Sequence, residues 1–168
     1  MMRNKIKHCI TLIATFLFLS ICGTGYCDNG LSYNDTVKLI KELMPNISSN
    51  IRKESYGYIN FHECILDYNV SGTFPVGTPY DIKYSNIDFS SFNHEVSKVN
   101  DSKNDPSNFI IVNFNNSINY VTASNDFPVH TIVIDAASYG QAQTLFKLFK
   151  HLGELCSVGK SQLNERSP

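Results

Sequence analysis

The chain has 168 residues, with 14 basic and 15 acidic side chains and a formal net charge of −1. Three of the basic side chains precede residue 8 and no acidic one precedes residue 28, so 11 basic groups face 15 acidic ones from Asp28 onward, a net charge of −4. This balance, with no cluster of Lys or Arg after residue 28, argues against a nucleic-acid or anionic-membrane partner, whose attraction needs clustered positive charge.

The N-terminal segment, residues 1–27, has the three parts of a secretory signal peptide. A basic start precedes an apolar run from Cys9 to Cys22, which is shorter than the roughly 20 residues needed to cross a bilayer core. Small residues follow, so we predict cleavage after Gly25 or Cys27 and export to the periplasm or the medium. A lipid anchor on Cys22 is the less favoured alternative, because Ile21 before it is not small.

The exported remainder, about 140 residues, is the size of one domain. We predict a single α+β domain over residues 28–156. Residues 157–168 have no apolar pattern, and we predict that they form a disordered tail.

The first predicted element is a helix. Ser32, three residues before Asp35, is a suitable N-cap, and Pro45 with Asn46 ends the pattern. The apolar residues between them recur at helical spacing: Val37, Ile40, Leu43 and Met44.

Between Ser55 and Asp135 the pattern indicates short strands. Tyr80, Ile82 and Tyr84 alternate with charged residues, which is typical of a strand with one buried face. The predicted strands are 56–61, 64–70, 80–84, a weaker 92–99, 109–114, 118–121 and 129–134. The predicted turns are Ser71–Gly72, Pro75–Gly77 and Asn115–Ser117, and residues 100–108 have the composition of a loop.

The last predicted element is an amphipathic helix from Ala137 to Cys156. Its apolar residues form one continuous face at 3.6-residue spacing: Ala142, Leu145, Phe146, Phe149, Leu152, Leu155 and Cys156. Gly153 weakens this helix by about 1 kcal/mol relative to alanine.

This order of elements predicts an N-terminal helix, a six- or seven-stranded antiparallel curled sheet or barrel, and a closing helix. The stretch Thr131–Asp135, then Ala142 and Phe149–Cys156 (FKHLGELC), resembles small exported bacterial proteins with a pleckstrin-homology-like barrel. In those proteins a short helix precedes the barrel, and an alanine-led helix ends in a His-Leu…Leu-Cys run. The alternative fold is a helix on a curled sheet, of the cystatin or nuclear-transport-factor type.

The resemblance implies a fold but no activity, because those proteins have no established one. It does not bring lipid binding. Phosphoinositide-binding members of the wider fold use Lys and Arg in the first hairpin loop, and none occurs between Glu63 and Tyr80.

Cys64 and Cys156 are the two cysteines that remain after the predicted signal cleavage. An even number of cysteines in an oxidising compartment indicates a disulfide, and we predict one between this pair. It would tie the end of the last helix to the start of the sheet. Two buried free thiols are the alternative.

No motif indicates catalysis or a cofactor. His62 and Cys64 could bind a metal with His94, His130 or His151, but no CxxC or HxxxH spacing supports such a site. The serines include no Gly-x-Ser-x-Gly nucleophile motif.

Tyrosines lie in or beside the predicted strands: Tyr56, Tyr58, Tyr68, Tyr80, Tyr84 and Tyr120. An exposed set would form a binding surface, and strand propensity alone also explains them. We predict a non-enzymatic exported domain that binds a protein or peptide through the sheet surface or an unpaired edge. A small envelope hydrolase or metal-dependent enzyme and a structural envelope component are the alternatives. The sequence leaves the oligomeric state open.

Overall fold

A computed structural model of the chain describes residues 30–47, 53–74, 76–100 and 108–164. The predicted signal segment 1–27, and with it the cleavage site, lies outside these residues. The described residues from Tyr33 onward form one compact unit. Within the described ranges this unit is an α+β fold, in which one helix precedes an antiparallel, curled six-stranded sheet and another follows it.

The helices and strands have the following bounds. The helices are α1 (Tyr33–Leu43), which continues into a 3-10 turn (Met44–Asn46), and α2 (Tyr139–Asn164). The strands are β1 (Ser55–His62), β2 (Ile65–Thr73), β3 (Pro79–Asp88), β4 (Lys98–Val99), β5 (Asn108–Val121) and β6 (Asp126–Ala136). A second 3-10 turn (Phe89–Ser91) follows β3.

Strands β1, β2 and β3 form an antiparallel meander. The β1–β2 turn is only Glu63 and Cys64, since His62 pairs with Ile65, and Glu63 takes a φ of 52°. The β2–β3 turn is closed by a hydrogen bond from the Gly77 N–H to the Phe74 carbonyl, at 2.8 Å. Its tip displays Val76, whose side chain is 86% exposed.

The longest strand, β5, organises the rest of the sheet. It pairs with β6 along one edge, while its other edge pairs with β4 near Ile110 and with β3 near Tyr120. The predicted hairpin at Asn115–Ser117 is wrong, because this segment is a bulge inside β5. The β5–β6 register moves there from Asn113–Thr131 to Ile118–Val129.

The true β5–β6 turn lies four residues past the bulge. There the Thr122 N–H donates to the Asn125 carbonyl at 2.8 Å. Within the bulge, the Asn115 Oδ1 accepts a 3.0 Å hydrogen bond from the Asn93 side-chain amide. Residues 115–117 have the composition of a turn, but the pairing of β5 with β6 on both sides of them keeps them within the strand as a bulge.

Strands β1 and β6 are the two ends of the curled sheet, and no ladder between them is present in the described residues. They meet through a side chain. The backbone N–H of Asp135 on β6 donates a 2.8 Å hydrogen bond to the Tyr56 hydroxyl on β1. The curl thus brings the first and last strands together without closing the sheet by main-chain pairing.

Helix α2 lies over the end of the sheet where the 3-10 turn 89–91 is found. The ring of Phe89 is fully buried there, with the rings of Phe149, Phe114 and Phe92 centred 5.2, 5.6 and 6.4 Å away. Of the predicted apolar residues of this helix, five are buried and two are half-buried. The buried ones are Ala142, Leu145, Phe149, Leu152 and Cys156, and the half-buried ones are Phe146 and Leu155.

Several element boundaries differ from the sequence prediction; β3 and β6, for example, are longer than predicted. The weak strand 92–99 is reduced to the two residues of β4, because a turn at 94–96 interrupts it. Ser71 and Gly72 lie within β2 rather than in a turn, since they pair with Asp81 and Tyr80. Helix α2 continues past Cys156 to Asn164, and no proline interrupts the sequence between these two residues.

None of the helices in the described part of the chain has the length and hydropathy of a membrane span.

Candidate functional site

A buried carboxylate lies where the two ends of the sheet meet. Glu54, 6% exposed, immediately precedes β1. One of its oxygens accepts a hydrogen bond from the Tyr56 hydroxyl and the other from the Tyr80 hydroxyl. Because Tyr56 also accepts from the Asp135 N–H, this set links β1, β3 and β6. We call Glu54, Tyr56 and Tyr80 the glutamate–tyrosine cluster.

Gly72 on β2 makes room for this cluster. A Cβ at residue 72 would lie 2.5 Å from the Tyr80 hydroxyl oxygen and 3.0 Å from the Cγ of Glu54. Any larger side chain there would displace a ring or the carboxylate, so glycine is required by close approach rather than by turn geometry.

The remaining strand tyrosines extend the cluster by ring packing. Tyr68 stacks on Tyr84 with ring centroids 5.1 Å apart, and Tyr120 meets Tyr84 edge-on at 5.3 Å. Tyr68 is fully buried, and its hydroxyl has no hydrogen-bond partner in the described structure. Burial first, and then the charge of neighbouring groups including Glu54, raises the pKa of Tyr56 and Tyr68 well above the ordinary tyrosine value. Such hydroxyls stay protonated at neutral pH and cannot act as bases there.

The predicted tyrosines therefore do not form one exposed face. Tyr56, Tyr68 and Tyr84 point into the sheet interior and are at most 9% exposed. Tyr58 is the exception, at 64% exposure and with a φ of 48° in a β1 bulge. Alternation along the strands explains the rest, since inward positions repeat every second residue.

The outer edge of β6 carries exposed side chains near the middle of the strand. Strand β6 pairs with β5 on one side, and no described strand pairs with its other side. The Asp135 N–H points to that other side, toward Tyr56. Because N–H directions alternate along a strand, the N–H groups of Thr131 and Val133 also point away from β5. Both side chains are exposed, Val133 at 43%.

The histidines considered as metal ligands are dispersed. His62 lies at the end of β1, His94 in a turn, His130 on β6 and His151 on α2. Within the described residues no three side chains of His, Cys, Asp or Glu come together as a metal site would need.

Cys64 and Cys156 are brought together by the fold. Their sulfurs are joined in a disulfide with Cα atoms 5.8 Å apart and 92 residues of sequence separation. Cys64 cannot then serve as a metal thiolate beside His62. The bond fastens the β1–β2 turn to the helix that covers the sheet end.

Sequence reasoning missed Glu54 and Gly72. A single glutamate before a strand gives no sign of burial, and Gly72 next to Ser71 is typical of a turn. Only the three-dimensional approach of β1, β2 and β3 shows why both are present.

Comparisons with known proteins give no further identification. No protein-family model matches the chain, and neither a curated protein nor a solved structure matches it.

Proposed function

We propose that this chain is an exported, non-enzymatic domain that binds a protein or peptide at the outer edge of β6. The observation that carries the proposal is that no described strand pairs with the outer side of β6 over its exposed middle, around Thr131 and Val133. A strand edge displays main-chain donors and acceptors that favour pairing with another chain. Phe127 on the same strand adds an exposed aromatic ring at 45%.

The finer fold and the compartment belong to the same proposal. A curled antiparallel sheet followed by a covering helix supports a pleckstrin-homology-like barrel. The signal-like segment 1–27 and the Cys64–Cys156 disulfide support export, because disulfides persist mainly in oxidising compartments. The mass of the protein recovered from the periplasm or the medium tests export. A mature N-terminus at Tyr26 or Asp28 is expected, and retention of the intact leader would contradict it.

The binding function is tested with the exported protein as bait. Wild-type chain and Val133→Asp are immobilised, and extracts of the native envelope and culture fluid are passed over both. Val158→Asp is the matched control, because Val158 is an exposed valine (59%) on α2. We expect a protein that binds wild type and the control saturably and binds Val133→Asp at least about tenfold more weakly, since a charge on a pairing edge opposes strand addition. Absence of saturable binding to wild type would refute the binding function.

A further inference from the structure

We propose that the ligand is an extended peptide segment that adds to β6 as a further strand, held by the main-chain groups of Thr131 and Val133. This inference rests on the binding function proposed above and specifies its chemistry. Strand β6 begins at Asp126, but Pro128 has no main-chain N–H and the β5–β6 register shifts just after it. The continuous run of main-chain groups available to a new strand is therefore His130 to Ile134, about 17 Å at the rise of a strand. It ends where the Tyr56 hydroxyl occupies the Asp135 N–H.

The direction of the main-chain groups is fixed by two sets of contacts. Ile132 and Ile134 pair with Val112 and Ile110 of β5 and are buried. Their N–H groups are opposite in direction to that of Asp135, which points to Tyr56. Residues 131 and 133 share the direction of residue 135, so they present one donor and one acceptor each to a new strand. A segment in extended conformation is the partner that satisfies this spacing.

The side chains around this edge define the ligand further. Val133 lies on the outer face with 43% exposure, and its same-face neighbours along β6 are Thr131, which is uncharged, and Asp135, whose side chain is 7% exposed. Cross-strand pairs with a β-branched residue favour aliphatic or aromatic partners. We therefore expect a peptide with such a residue opposite Val133. The Thr131 hydroxyl already donates to the Asn113 Oδ1 at 2.7 Å, which holds that side chain against β5 and away from the incoming strand.

A second copy of this chain fits the edge less well. Specific contacts between folded proteins bury at least about 1,200 Å² of total surface. Five residues of strand edge, limited by Tyr56 at one end, offer a short contact that suits a peptide, whose affinity comes from main-chain hydrogen bonds. The experiment therefore also tests whether two copies of the chain pair through their β6 edges.

The experiment uses twelve-residue random peptides displayed on phage and selected on the immobilised exported chain. A selected peptide is synthesised, and its Kd is measured with wild type, Val133→Pro and Val133→Thr. Proline removes the outward donor without touching a β5 hydrogen bond, whereas threonine keeps that donor. We expect the Kd to rise at least about tenfold with proline, the value of one good hydrogen bond, and less than about threefold with threonine. Circular dichroism verifies that each variant is folded.

A second measurement does not depend on the protein variants folding. The selected peptide is N-methylated at each position in turn, which removes one main-chain donor at a time. We expect alternate positions to lose binding and the intervening ones to retain it. Uniform tolerance of methylation, or equal Kd values for wild type and Val133→Pro, would overturn the strand-addition mode while a protein partner could still be bound elsewhere. Sedimentation that shows a dimer broken by Val133→Pro would overturn it in favour of a second copy.

Discussion

Gly153 on α2 offers a sharp test of the packing between the helix and the sheet. By helix propensity alone, Gly153→Ala should stabilise the protein by about 1 kcal/mol. The structure opposes this gain, because the added Cβ would lie 3.0 to 3.2 Å from the Cβ, Cδ1 and Cγ of Phe92. Phe92 is itself held at 6% exposure between the rings of Phe89 and Phe114. Overpacking of this kind costs about 1 to 3 kcal/mol, so we expect a net destabilisation of up to about 2 kcal/mol.

The assay is urea unfolding at neutral pH without reductant, with two comparison variants. Gly140→Ala in the first turn of α2 has nothing within 4 Å of the new Cβ, so it should raise or preserve stability. Phe92→Ala combined with Gly153→Ala should cost less than the sum of the two single changes, because alanine at 92 removes two of the three close atoms, Cγ and Cδ1. If Gly153→Ala is as stabilising as Gly140→Ala, the close contact with Phe92 does not exist.

Three further predictions concern the disulfide, a turn and a buried ring. The double change Cys64→Ser and Cys156→Ser should lower the free energy of unfolding by about 4 to 5 kcal/mol, the chain-entropy value for a loop of this length, in a comparison of denaturation curves with wild type. Glu63→Gly should raise stability by up to about 1 kcal/mol, because Glu63 has a φ of 52° and glycine avoids the left-handed penalty; Glu63→Ala should show no gain. Burial raises the pKa of Tyr68, so its hydroxyl stays protonated in the folded state while the unfolded chain ionises near pH 10. Stability should therefore fall above pH 10, by about 1.4 kcal/mol per pH unit from this residue. Unfolding curves at pH 8 and pH 11 measure this loss of stability for wild type and for Tyr68→Phe. The loss should be smaller in Tyr68→Phe, and an equal loss in both proteins would contradict the burial of the Tyr68 hydroxyl.

Much of the fold follows from periodicity in the sequence. The 3.6-residue pattern of α2 and the alternation in β3 predict elements that the structure contains, because both patterns reflect a single buried face. The prediction of a hairpin at Asn115–Ser117 was wrong for a physical reason. Asparagine and serine are also accepted in a bulge, and only the pairing partner, β6, decides between a bulge and a turn.

The candidate site was much less accessible to sequence reasoning. Alternation placed Tyr80 and Tyr84 on one face of a strand but could not say whether that face was interior or exposed. Strand order decides that one side of β6 has no partner among the described strands, and that order depends on long-range contacts that no local pattern encodes. The direction of the Val133 N–H became visible only through the hydrogen bond between Asp135 and Tyr56.

The proposed β6 binding site is tested most directly by amide hydrogen exchange along this strand. In the free protein we predict slow exchange at Ile132 and Ile134, which face β5, and fast exchange at Thr131 and Val133. Saturation with the selected peptide should slow exchange at Thr131 and Val133 while leaving the other two unchanged. Protection confined to other strands, or no alternation along β6 in the free protein, would contradict the proposed site.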